Sequence, residues 1–141
     1  MRKKGEGKLK HLIYVSEASN VTKEIIQQIL FASRKNNIKN GITGALIYGS
    51  NLYLQFLEGP VDAIDETFNT IKLDRRHSKI RILRESSTKR KLFSSWKMRD
   101  DSIANWMWSA KELNDGVLQN LSPKEALNVF NNLSRDIDQF I

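Results

Sequence analysis

Ile42-Thr43-Gly44-Ala45-Leu46-Ile47-Tyr48 and Leu52-Tyr53-Leu54-Gln55-Phe56-Leu57 are two apolar runs separated only by Gly49-Ser50-Asn51. Both are rich in strand formers, and a short glycine-containing loop between them predicts a β-hairpin. Glu58-Gly59-Pro60 ends the second run. Pro60 suits the first turn of a helix, where its missing N–H would be unpaired anyway. Val61, Ile64, Phe68 and Ile71 then form an apolar stripe at helical spacing, and Asp74-Arg75-Arg76-His77 closes that helix.

Working outward, Asn36, Asn37 and Asn40-Gly41 form a polar exit from an earlier helix. Thr22 is its expected N-cap, and Glu24 places a carboxylate near the positive end of the helix dipole. Ile25, Ile26, Ile29, Leu30 and Ser33 keep helical spacing, so this helix is expected to run to about Lys35. Before it, residues 9–15 read as a buried first strand. Beyond the second helix, Ile80 and Ile82 alternate with Arg81 in a fourth strand, and Leu92 to Met98 suggests a fifth. The order is β-α-β-β-α-β plus one strand. This is an α+β, ferredoxin-like arrangement with two helices on one face of a mixed sheet. The pattern serves many functions, so function has to be argued from a site.

The C-terminal part differs in kind. Ile103, Trp106, Met107, Ala110 and Leu113 make a short amphipathic helix that ends near Asn114-Asp115-Gly116. Ser122-Pro123-Lys124-Glu125 is a capping box with proline at the first helical position. Ala126, Phe130, Leu133, Ile137 and Phe140 follow on one face. This two-helix cap, within residues 101–141, is expected to pack on the free face of the sheet or on a partner, with Trp106 and Trp108 between cap and sheet.

Composition narrows the function classes. A chain of 141 residues with no cysteine can hold no disulfide, thiolate nucleophile or Cys-ligated metal, and two histidines (His11 and His77) make no metal cluster. No stretch reaches the roughly 20 apolar residues of a membrane span, and Met1 to Lys10 has no apolar run behind it, so a cytoplasmic protein is the expectation. The net charge of +7 invites a nucleic-acid reading. Residues 1–10, however, carry five basic side chains against Glu6, which leaves +3 for the remainder. Residues 1–8 therefore read as a basic, solvated tail.

Four polar residues stand in or beside the apolar framework. Gln55 interrupts a strand and shares a face with Tyr53 and Leu57 by alternation. Singly, it reads as a glutamine bonded to nearby backbone. Tyr14 reads as a core aromatic with its hydroxyl satisfied, and Asn36-Asn37 as a helix end. The topology makes the first and third strands neighbours, so Tyr14 and Gln55 can project together toward the helices, with Asn37 near them. Two amides and a phenol between Ile-rich helices suit a flat ligand with an apolar body and a polar edge, such as an isoalloxazine ring.

The stretch Asn36-Asn37-Ile38-Lys39-Asn40-Gly41-Ile42-Thr43-Gly44-Ala45-Leu46 resembles the signature of BLUF blue-light receptors, as does Leu54-Gln55-Phe56-Leu57-Glu58-Gly59. Leu12-Ile13-Tyr14-Val15-Ser16, Asp74-Arg75-Arg76-His77 and Trp96-Lys97-Met98 fall in the right order around them, so the resemblance covers about residues 9–100. The C-terminal helices resemble those of the short, stand-alone type. The resemblance implies a non-covalently bound flavin, FAD first, with FMN or riboflavin as alternatives. It implies that Tyr14 is the electron and proton donor to the excited flavin, and that Gln55 rearranges between Tyr14 and the ring. It further implies that Asn37, with Asn36, holds the polar edge of the ring and that Ile29 and Ile71 sandwich it. Arg76 and His77 would lie near the ribityl-phosphate end, and Ser16 behind Gln55. Trp96 and Met98 would carry the signal out through the fifth strand to the C-terminal helices. The output would be self-association, as a dimer or larger homo-oligomer, or contact with a downstream signalling protein, without enzymatic turnover. The absence of cysteine excludes flavin photochemistry through a cysteinyl adduct.

One departure is Thr70, where some members carry a basic or His side chain near the flavin, which bears on the choice of flavin. Two rival readings stand beside this one. A ferredoxin-like RNA- or protein-binding module would need a basic face with exposed aromatics. An acylphosphatase-like enzyme would need a Gly/Arg phosphate loop after the first strand, and Ser16-Glu17-Ala18-Ser19-Asn20 contains neither residue type.

Overall fold

The hairpin that organises the chain forms because β2 (Thr43–Gly49) and β3 (Leu52–Pro60) are apolar on both faces. Such strands are stable only in the middle of a covered sheet. Gly44 lets them approach, since a Cβ there would run into the backbone carbonyl of Phe56. The computed structural model describes residues 8–18, 23–49, 52–75, 77–91, 99–102, 116–117 and 119–138. Their remaining elements are β1 (Leu9–Glu17), α1 (Lys23–Asn40), α2 (Val61–Lys72), β4 (Ser78–Thr88), β5 (Arg99–Ser102) and α3 (Pro123–Asp138).

The sheet order is β4-β1-β3-β2-β5, antiparallel except for the parallel β2–β5 edge. This is the expected ferredoxin-like α+β order with a fifth strand, and β1 and β3 are central neighbours. The register places Tyr14 opposite Gln55, Gln55 opposite Leu46, and Leu46 opposite Asp100. One cross-strand row thus runs from β1 to the β5 edge.

The two faces carry separate cores. Leu12, Tyr14, Ile42, Leu46, Tyr53 and Leu57 face Ile64 and Phe68 of α2, with Ile29 of α1 and Ile71 at the margin. Ile13, Val15, Ala45, Ile47, Leu54 and Phe56 face Ala126, Val129 and Phe130 of α3. The α3 helix begins as its sequence directs. The Ser122 N–H donates to Glu125 Oε1 (2.9 Å), and the Glu125 N–H donates to Ser122 Oγ (3.1 Å), a reciprocal capping box.

Several element ends differ from the sequence reading. The α1 helix runs through Asn36 and Asn37 to Asn40 instead of stopping near Lys35. Asparagine only tolerates a helix end, whereas Gly41 takes φ +71°, the left-handed conformation that ends helices. Pro60 stands before the first turn of α2 rather than within it, with φ −57° and ψ 140° as the N-cap. Ile80 and Ile82 alternate with Arg81 as expected, but burial along β4 does not follow that period. The register of β4 on β1 shifts between Ile13 and Tyr14, so Leu83 is buried and Ile82 stays 45% exposed. The fifth strand expected at Leu92–Met98, the helix expected from Ile103 to Leu113, and Thr22, Trp106 and Trp108 lie outside the described residues; β5 is the polar stretch that follows Met98.

Candidate functional site

Between α1, α2 and the sheet lies a cleft of about 430 Å³, partly open to solvent, lined by Tyr14, Ile29, Leu46, Tyr53, Gln55, Ile71, Asp74 and His77. Its apolar walls with a few convergent polar groups are those of a small-molecule site. Each lining group follows from local structure. Alternation along β1 and β3 sends Tyr14, Tyr53 and Gln55 to the helical face. Helical spacing brings Ile29 and Ile71 in from the two helices. Asp74 and His77 come from the link between α2 and β4.

The Tyr14 hydroxyl donates to Gln55 Oε1 in the buried interior. Burial holds the Tyr14 phenol far above its ordinary pKa, with the Asp74 carboxylate and then Tyr53 adding to the effect. The phenol therefore stays protonated, and stays a donor, throughout the physiological range. With its carbonyl engaged by Tyr14, the Gln55 amide still carries two N–H donors. The Tyr14 ring lies 5.6 Å from Phe68 and 6.1 Å, edge-on, from His77.

His77 is held at both ring nitrogens. Nε2 lies 2.8 Å from the Ile71 carbonyl, and Nδ1 lies 2.8 Å from Ser16 Oγ. A carbonyl only accepts, so Nε2 carries the hydrogen, and in the neutral ring Nδ1 accepts from the Ser16 hydroxyl.

The structure thus brings together Tyr14, Gln55, Ile29, Ile71 and His77 of the residues expected from sequence. Ser16 is buried and bonded to His77. Asn36 and Asn37 are helical, about two turns beyond Ile29 on α1, and their side chains lie outside the described set. Arg76, Trp96 and Met98 also lie outside it. Thr70, exposed, donates to the Glu66 carbonyl of its own helix (3.4 Å) rather than to the cleft. The sequence reading missed Asp74, Tyr53 and Leu46 as lining groups. Tyr53 and Leu46 were recoverable, one by alternation from Gln55 and the other by hairpin register; Asp74 stood in the Asp74-Arg75-Arg76-His77 stretch of the resemblance but was given no role there. Among the described residues no cluster of histidine, aspartate and glutamate could hold a metal ion, and no helix is long and apolar enough to cross a membrane.

The residues fit a flavin. Two isoleucines from opposite helices offer faces to a flat apolar ring, and Gln55, Tyr53 and Asp74 offer donors and acceptors at its edge. The comparisons point the same way. The sequence model of the family described as BLUF, sensors of blue light using FAD, matches residues 9–99. Photoactivated adenylate cyclase subunit alpha of Euglena gracilis is 39% identical over 80 residues, which is 54% of this chain and 8% of that protein. A subunit alpha-like protein FB of the same organism is 28% identical over 104 residues, 72% of this chain and 10% of that one. The chain therefore spans a tenth or less of these curated relatives. The dark-state structure of BlrB, a BLUF protein, superposes with a TM-score of 0.79 at 30% identity, over 92% of this chain and 97% of that one. The ground state of BlsA gives 0.73 at 26% identity, over 89% and 87%.

Proposed function

The chain belongs to the BLUF family of sensors of blue light using FAD, and on that premise we propose that Tyr14 and Gln55 form its photochemical switch. Bound in the cleft, the flavin supplies the blue-light absorption and an excited state that accepts an electron. Tyr14, donating to Gln55 Oε1 in a buried site, is the observation that carries the reading. A phenol kept protonated by its surroundings is poised to release its proton only when its electron is withdrawn, and to take it back afterwards. Gln55 has an acceptor end toward Tyr14 and donors elsewhere. Turning the amide exchanges those ends without changing its volume, so the cleft has two hydrogen-bond states around a fixed ligand.

Ile29 and Ile71 hold the two faces of the ring, and Asn37, with Asn36, its polar edge. Arg76 serves the phosphate-bearing tail. We read the flavin as FAD, the one the family description names; Thr70 adds nothing to the tail, which leaves FMN and riboflavin as the forms to test. The signal leaves along the row Gln55, Leu46 and Asp100 to β5, which Trp96 and Met98 precede in the sequence. From there it reaches the C-terminal residues 101–141 and alters self-association or contact with a downstream protein. The cyclase activity named for the Euglena proteins belongs to chains about seven times as long, and we assign this chain no turnover of its own.

The test is the visible spectrum of the flavin-loaded protein before and after blue light. We expect the flavin bands to shift slightly to the red and relax in darkness, and Gln55→Leu to keep the flavin and lose the shift. A wild-type protein that binds flavin but only bleaches, or a Gln55→Leu variant with an unchanged photocycle, would reject the switch. A protein that takes up no flavin would favour the RNA- or protein-binding module.

A further inference from the structure

His77 stands where the resemblance implies a grip on the flavin tail, yet both of its nitrogens are spent on the protein. Nε2–H donates to the Ile71 carbonyl, at the end of the helix whose Ile71 side chain walls the cleft. Nδ1 accepts from Ser16, two residues along β1 from Tyr14. The imidazole thus bridges a wall of the cleft and the strand that carries the switch tyrosine, while its ring edge packs on Tyr14 at 6.1 Å and its neighbour Tyr53 at 6.2 Å.

The backbone around this bridge has a reason to need it. Val15 pairs with Arg81 and Glu17 with Ser78, so the β1–β4 register shifts at Ser16, where two β4 residues, Lys79 and Ile80, face one on β1. Lys79 takes φ +52°, a left-handed conformation that non-glycine residues adopt only under constraint. The ladder is therefore locally interrupted beside the switch strand. The Ser16–His77–Ile71 chain of hydrogen bonds crosses that interruption, and Lys79 Nζ adds an ion pair to Glu17 at 3.3 Å.

We propose that His77 is a positioning residue of the switch: an Nε2–H imidazole that, through Ser16, ties the β1 strand to the α2 wall and so sets the Tyr14–Gln55 hydrogen bond, rather than a group that holds the flavin. The inference rests on the switch reading above. It makes Ser16 and His77 one unit, whose loss changes the two hydrogen-bond states of the cleft and leaves flavin binding in place.

Imidazole ¹⁵N spectra of the full chain, with and without flavin, test the bridge directly. His77 is expected as the Nε2–H form in both samples, with an Nδ1 resonance that moves in Ser16→Ala. Dark recovery is the second readout. Ser16→Ala and His77→Phe should each change its rate by about 2- to 10-fold, the equivalent of one neutral hydrogen bond. The double variant should do no more than the larger single change. Flavin affinity should stay within about 3-fold of wild type, well below the tenfold that 1.4 kcal/mol represents. An Nδ1–H form, or flavin affinity lost in His77→Phe while Ser16→Ala is silent, would overturn the proposal and return His77 to the flavin. If His77→Phe does not fold, Ser16→Ala and the wild-type tautomer still decide. A wild-type protein that shows no light-induced shift would sink the switch reading instead, and the tautomer in the same sample would report the bridge independently.

Discussion

On β1, Ile13 and Val15 face α3 while Leu12 and Tyr14 face α2, and the two sides are finished in different ways. On the α3 side the strands meet Ala126, Val129 and Phe130, and Phe130 is fully buried, with its ring 5.2 Å from that of Phe56. On the other side the same strands present a phenol, an amide and, at Tyr53, a second phenol to two helices that do not close over them. Packing a core densely is the ordinary outcome for an apolar sheet face. Leaving a cleft lined by buried polar groups forgoes that stabilisation and is expected where a ligand completes the layer. One face therefore holds the fold together, and the other reserves a place for the chromophore.

The largest effect that separates the faces is expected at Phe130. Phe130→Ala should lower stability by about 3–5 kcal/mol, the usual cost of truncating a buried aromatic, read from the urea midpoint. The light-induced shift per folded molecule should be unchanged. A lost shift in a folded variant would show that the faces are coupled through the sheet and would break the division.

Tyr14→Phe makes the complementary change. The ring stays to pack on Phe68, but the donor to Gln55 is gone. Stability should fall by about 0.5–1.5 kcal/mol, and the red shift should vanish with flavin still bound. A variant that kept a wild-type photocycle would remove the tyrosine from the switch and leave the cleft with only a packing role for it.

How much of this was legible in the sequence follows the same division. Regular apolar runs and one turn gave the hairpin, the strand order and thus the adjacency of Tyr14 and Gln55, because period and topology fix which strands neighbour each other. The capping box at Ser122 was legible because its two hydrogen bonds are local. What failed depended on competition or on distance. Asn36-Asn37 looked like a stop, but the helix continued until Gly41, the residue able to take φ +71° at no steric cost. β5 is Arg-Asp-Asp-Ser, a polar sequence with no strand propensity, recruited by pairing in parallel with β2 at the edge. Leu83 is buried and Ile82 left exposed beside a bulge that no propensity announces. The Ser16–His77 contact joins residues 61 positions apart and needs the fold before it can be seen.

The cap of α3 sharpens the comparison at a smaller scale. Ser122→Ala should cost about 1 kcal/mol, since it removes the acceptor for the Glu125 N–H, and the spectrum should not move. The Ser122 backbone N–H, and then its side chain, hold Glu125 below its ordinary carboxylate pKa. The carboxylate half of the cap is therefore complete above the ordinary glutamate range and weakened as acid protonates Glu125, while the bond from the Glu125 N–H to Ser122 Oγ remains. A cap variant that altered the photocycle would mean that the α3 start senses the flavin side.

The smallest expected effect belongs to His11, the one histidine on the α3 face. It is buried beside Phe56, and Arg84 Nε donates to its Nε2 at 2.8 Å. Burial first, and the Arg84 charge second, lower its pKa from the ordinary histidine value. Protonating it would set a charge in that layer and turn the Nε2 acceptor into a donor facing another donor. A lowered folded-state pKa means that the unfolded chain binds the proton more readily. Stability should thus be flat above the unfolded value of about 6.5 and decline as pH falls below it, until the folded His11 itself titrates. The slope should stay well under the roughly 1.4 kcal/mol per pH unit of one fully withheld proton, because water reaches half-buried Arg84 and screens the pair. Urea midpoints between pH 8 and 5 for the wild type and His11→Gln measure it, with the variant expected to lose part of the acid-side slope. His77, on the cleft side, is unchanged in both proteins and cancels in the difference. An identical slope in both would take His11 out of the acid response and leave the cleft face as its source.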